Sequence, residues 1–141
     1  MSDTAARPRP EYRNIHITQI RTYRLPVPGI VSILHRISGA LMFVLLPFVV
    51  WMFDASVSSE VSHAAFASAF TAGIGFVPGW FLKLVALGLI WAFLHHLIAG
   101  VRHVWMDAAH AVELKFGRQS AMVTLALSLV LTLAFAIKLF F

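Results

Sequence analysis

The chain has 141 residues, 60% hydrophobic and only 12% charged, with a formal net charge of +5 and no cysteine. A soluble domain carries roughly twice that charged fraction, so a water-surrounded globule is excluded and lipid is the expected solvent. The missing thiols exclude a disulfide framework, a cysteine-held iron–sulfur cluster, a thiolate zinc site and a cysteine nucleophile within this chain.

Residues 1–30 are polar, basic and proline-rich, from Arg7-Pro8-Arg9-Pro10 to Pro26-Val27-Pro28-Gly29. They lack the apolar stretch and small-residue cleavage site of a secretory signal, and Asp3, Glu11 and scarce serine argue against a transit peptide. The segment reads as an arm at a protein or membrane surface, with prolines that forbid a regular helix through most of it. Six of the eleven basic residues (Arg7, Arg9, Arg13, Arg21, Arg24 and Arg36) lie in the first 36 positions. In so apolar a chain this clustering is a topology signal and not a nucleic-acid patch.

The first apolar run, Ile37 to Phe53, is too short alone for a span of about 20 residues. Helix I is therefore predicted over 31–53, which places Ser32, His35 and Arg36 on its first turns. Pro47 is expected to kink it without breaking it. Residues 54–79 form a connection with Asp54 and Glu60 and no Lys or Arg. Val61 to Ala72 suits a short interfacial helix, ended by Gly73, Gly75, Pro78 and Gly79. Trp80 opens helix II, predicted over 80–105, at the depth of an aromatic belt. A polar loop over 107–119 carries Lys115 and Arg118, and helix III is predicted over 121–141. The domain reading is an arm, 1–30, followed by a three-helix transmembrane domain, 31–141. The positive-inside rule places the N-terminus and the 107–119 loop in the cytoplasm and the 54–79 connection outside.

Helix II contains His95-His96-Leu97-Ile98-Ala99-Gly100-Val101-Arg102-His103. An imidazole in lipid costs free energy unless partnered, and a neutral ring nitrogen facing another helix is a candidate haem ligand. Gly100 lies one turn beyond His96 on the same face, where missing bulk admits a flat macrocycle or a second helix. His103 returns to that face about 10 Å further on, and Arg102 is at a level to neutralise a carboxylate such as a haem propionate. His95 points about 100° away from His96. The periodicity favours His96 as the ligand without settling the choice. The competing reading is a histidine that only bonds neighbouring helices, with Gly100 for packing.

On helix I, Ser32 and Arg36 share a face at i, i+4, with His35 at i+3 from Ser32. A hydroxyl and a guanidinium there suit the carbonyl oxygens of a quinone; the alternative is a capping serine and a snorkelling arginine. Trp91, Phe93 and Phe43 read as packing or lipid-facing side chains. Asp107 reads as a helix-end acid, and His16, His63 and His110, outside the spans, are assigned no chemistry.

Ser32-Ile33-Leu34-His35-Arg36-Ile37-Ser38-Gly39 resembles the signature S-x-x-H-R-[IV]-[ST]-G of the cytochrome b556 subunit of succinate dehydrogenase. His96 to Asp107 resembles that family's H-x-x-x-G-[IV]-R-H-x-x-x-D, and the likeness extends over about residues 7–141. The resemblance implies an all-α membrane protein, three helices forming half of a six-helix anchor bundle with a second hydrophobic anchor subunit. It implies iron–sulfur and flavoprotein subunits on the cytoplasmic side, and electrons passing from succinate to a ubiquinone-type quinone. A haem b would be shared between the anchors, with His96 as axial iron ligand. Ser32 and Arg36 would take quinone-site positions, and His35, Arg36 and His103 positions near the propionates. The setting would be a bacterial inner membrane. With no succinate site, flavin motif or cluster ligands of its own, the chain is not expected to be an enzyme alone. A fumarate reductase anchor and a cofactor-free membrane interaction subunit are the competing readings.

Overall fold

The computed structural model describes residues 16–141; the first half of the basic arm lies outside them. Five helices follow in order: α1 (Ile17–Thr22), α2 (Val27–Val57), α3 (Glu60–Ala69), α4 (Gly79–Ala108) and α5 (Leu114–Phe140). At 1.5 Å per residue α2, α4 and α5 are about 46, 45 and 40 Å long, enough to cross the hydrocarbon core and enter both headgroup layers. All three have the length and hydropathy of membrane spans. Their outer faces are apolar, with Phe43, Val44, Phe93, Val130 and Leu133 more than half exposed. This is the inside-out distribution that lipid solvation allows.

The helix limits differ from the sequence expectation, mostly outward: α3 ends earlier, at Ala69, and α5 one residue earlier, at Phe140. α2 starts at Val27, with Pro26 as N-cap and Pro28 in the first turn. Proline removes no bond there, because first-turn amides have no intrahelical partner. The same rule leaves room for α1, closed at its start by a capping box between His16 and Gln19. α2 runs unbroken through Pro47. α5 begins at Leu114, so Lys115 and Arg118 ride on its first turns instead of in a loop. The connection between α4 and α5 shrinks to 109–113, and His110 turns it with a φ of 50°. The Ala111 amide then bonds back to the Met106 carbonyl at 3.1 Å, closing the end of α4.

The 54–79 connection holds α3, started by a Ser59–Ser62 capping box. Gly73, with φ 95°, allows the chain to fold back so that Ile74 and Val77 exchange backbone bonds. A side chain on Gly73 would collide with the Val77 carbonyl. The three long helices pack as α2 on α4, α4 on α5 and α2 on α5, with α3 against α2. The buried residues are mostly small: Ser38, Ala92, Ala99, Ala121, Thr124 and Ser128, with Val31. Small residues let backbones approach where no hydrophobic effect drives helices together. Connectivity brings the start of α2, the end of α4 and the start of α5 to one side of the membrane.

Candidate functional site: a histidine cluster between two spans

α4 presents two chemically distinct faces, which resolves the crowding of polar residues in its sequence. His96, Gly100 and His103 face α2. His95, Ala99 and Arg102 form the buried face, where His95 and Arg102 bond to α5. At 3.6 residues per turn each set recurs every three or four positions, so neighbours in sequence part company in space.

On the α2 side, the Nδ1 of His96 lies 2.9 Å from the backbone carbonyl of His35 and 3.3 Å from the Ser38 hydroxyl. Ser38 also donates to the His35 carbonyl at 2.9 Å. A carbonyl can only accept, so this contact requires the proton on Nδ1, and in the neutral ring it leaves Nε2 with its lone pair. That is the tautomer an iron ligand needs, and a carbonyl on the other ring nitrogen is the usual support of a metal-binding histidine.

The His35 ring stacks on His96, with centroids 4.1 Å apart and planes within 9°, and lies 5.3 Å from His103. Two glycines permit this packing. A Cβ on Gly39 would stand 2.7 Å from Cε1 of His96, a collision, whereas one on Gly100 would meet Nε2 of His35 at 3.6 Å, an ordinary contact. Gly39 is thus sterically required and Gly100 is not. No group of three or more His, Cys or acidic side chains converges on a metal position among the described residues. Beside the histidine cluster a groove of about 410 Å³ runs down α4 from His96 past Gly100 and Val104 to Ala108, lined by exposed Leu97, Val101 and Trp105.

Ser32 is half-buried and Arg36 exposed, about 8 and 14 Å from the start of α2. Neither side chain makes a hydrogen bond among the described residues, so their donors remain available to a ligand. Arg102 is turned toward α5, where its Nε donates to the Ser120 hydroxyl at 2.9 Å and Nη2 to the Gly117 carbonyl at 3.1 Å. His95 is fully buried, its Nδ1 3.3 Å from the Ser128 hydroxyl and its ring stacked on Trp91 at 5.4 Å. Its Nε2 makes no hydrogen bond and opens onto no free space. His95 is packed as an interhelical residue, with no room at Nε2 for a large planar group.

Ser38 and Gly39 are the two residues that reading for chemistry overlooked. Both stand in the helix I motif, where their presence is the available signal.

Three long lipid-facing helices with a half-buried histidine cluster at the α2–α4 contact, and apolar grooves on the outside, define a multi-pass membrane protein. The comparisons agree: residues 8–135 match the succinate dehydrogenase/fumarate reductase transmembrane subunit family, and the chain belongs to that family. It is 31% identical over 112 residues to the succinate dehydrogenase cytochrome b556 subunit of Paracoccus denitrificans, covering 79% of this chain and 81% of that protein. The corresponding subunit of Coxiella burnetii is 29% identical over 117 residues, 83% of this chain and 86% of that one. The cytochrome b560 subunit of Reclinomonas americana is 27% identical over 111 residues, 79% and 76% of the two.

Proposed function

We propose that this chain is the cytochrome b anchor of a succinate dehydrogenase, holding one haem b jointly with a second hydrophobic anchor subunit and forming part of the site where quinone is reduced. The observation that carries the reading is the His35 carbonyl on Nδ1 of His96. It sets the ligand tautomer of a single histidine within a span and beside an open groove. His96 would hold the iron through Nε2, and His35, Arg36 and His103 would offer hydrogen-bond donors to the haem carboxylates. Arg102 faces the other way and is not included in that set. A bound b-type haem supplies a one-electron redox centre inside the bilayer.

Ser32 and Arg36 donate hydrogen bonds to a carbonyl oxygen of a ubiquinone-type quinone. Their depth, within the first 14 Å or so of α2, is reachable both by electrons from a soluble iron–sulfur partner and by protons from water. A flavoprotein subunit on that partner oxidises succinate, so this chain is not catalytic alone. The charge asymmetry supports a cytoplasmic arm, α4–α5 turn and start of α5, with α3 on the outer side of a bacterial inner membrane.

The test is a spectrum of the complex purified with its partners. Reduction by succinate is expected to develop the absorption bands of a low-spin b-type haem. A complex that oxidises succinate and reduces quinone with no haem absorption would leave the histidine cluster as helix packing alone.

A further inference from the structure

Arg102 is 9% exposed and lies within a membrane span, yet its hydrogen bonds go to two neutral acceptors, Ser120 and Gly117. It forms no ion pair among the described residues. The four acids there are badly placed to help. Asp54 and Glu60 stand at the opposite end of the spans, and Asp107 and Glu113 are exposed. Asp107, five residues beyond Arg102, points about 140° away around α4. The two neutral acceptors of Arg102 leave its positive charge without a counter-ion among the described residues, and an anion beside it would offset its desolvation further.

The surroundings say what kind of anion. Arg102, Gln119 and Ser120 stand midway along a groove of about 440 Å³ between α4 and α5, below Trp105 and Phe116 and above Ile98, Val123 and Thr124. Lys115 and Arg118 crown its upper end, on the first turns of α5. Going down the bilayer normal, the groove offers a basic rim, the aromatic pair Trp105 and Phe116, a buried cation with hydrogen-bonding neighbours, and then a mainly apolar stretch that includes Thr124. That order matches an amphiphile with a negative head and an acyl tail, and no water-soluble anion needs the lower half.

We propose that the α4–α5 groove is a binding site for one anionic phospholipid, its phosphate on Arg102 and its upper acyl chain along Ile98, Val101 and Val123. Arg102 is on a different face of α4 from His96, although the two grooves share Val101 and Trp105 along their common edge.

The test uses the whole complex, purified in detergent, stripped of loosely held lipid and titrated with phosphatidylglycerol or phosphatidylcholine under native mass spectrometry. Wild type is expected to retain one phosphatidylglycerol more tightly than phosphatidylcholine. Arg102→Gln should weaken that retention roughly tenfold or more, the loss of a charge-assisted bond, while Arg102→Lys keeps most of it. Val123→Trp, which fills the groove and leaves the cation, should weaken it as well. This pair decides the matter should Arg102→Gln fail to assemble. Equal retention by wild type and the variants overturns the proposal. Unchanged lipid retention with loss of the second anchor subunit from Arg102→Gln would assign the charge to a carboxylate of that partner. Unchanged retention with a shifted haem spectrum would assign it to a propionate.

Discussion

The His35 carbonyl and the His96 Nδ1, 61 residues apart in sequence, meet at 2.9 Å across the α2–α4 contact. This one bond ties the motif of helix I to the motif of helix II and engages Nδ1 of His96, so that Nε2 is the nitrogen that the proposed haem would use. Its geometry depends on how closely the two helices approach, and that approach depends on Gly39.

Gly39→Ala is the cleanest probe of the contact. The added methyl would stand 2.7 Å from Cε1 of His96, so the ring must move, the His35 bond must lengthen, or the helices must part. The expected outcome is an assembled complex with reduced haem content or a shifted haem midpoint potential. Losing the support of a ligating histidine typically costs tenfold or more in affinity for the bound group. Gly100→Ala, where the new methyl meets His35 at an ordinary 3.6 Å, should have much the smaller effect. Redox titration of the two variants side by side checks the ranking, and equal effects would contradict the steric account.

Ser32 and Arg36 are expected to separate quinone reduction from succinate oxidation. Ser32→Ala removes a hydroxyl worth on the order of 1 kcal/mol in a hydrogen bond, more if the acceptor is left unpaired. Arg36→Lys keeps the charge and loses the planar fork of donors. Both variants should oxidise succinate normally with an artificial acceptor that draws electrons upstream of quinone. Their turnover at limiting quinone should fall several-fold. Normal quinone turnover in both would reduce the two residues to a helix start and a snorkelling side chain.

Much of this arrangement is legible in the sequence, and the failures have physical causes. The three spans follow from apolar runs bounded by charges, because lipid imposes a length and an inventory that little else satisfies. The helix ends do not follow: Pro26 and Pro28 look like breakers but sit where a helix start tolerates them, and Lys115 and Arg118 look like loop residues but solvate an exposed first turn. The grouping of Arg102 with the histidines is natural in one dimension, but helical rotation carries it with His95 to the α5 side. Ser38 and Gly39 carry no titratable chemistry, so a search for ligands and donors passes over them. Their roles exist only once the register of α2 against α4 is known.

Topology offers an independent check, since the chain has no cysteine to remove. A cysteine replacing Ser58, just past the end of α2, should be labelled by a membrane-impermeant thiol reagent in intact cells. One replacing Gln119, on the first turns of α5, should be labelled only after the membrane is opened. Labelling of the Gln119→Cys variant in intact cells would invert the orientation and place the proposed quinone site on the wrong side for the proposed cytoplasmic iron–sulfur partner.

The two adjacent histidines of α4 supply the most direct test, because their environments differ so sharply. His96 has its Nδ1 held and its Nε2 carrying the lone pair, beside an open groove. His95 is fully buried against Ser128 and Trp91, with Nε2 enclosed. The measurement is the reduced-minus-oxidised spectrum of the assembled complex carrying His96→Ala or His95→Leu. Leucine at position 95 fills most of the space and removes a buried nitrogen that has no partner, so that complex should keep its low-spin haem signal. His96→Ala should lose the signal or convert it to a high-spin form. Loss of the low-spin signal in His95→Leu with its retention in His96→Ala would contradict the account at its centre.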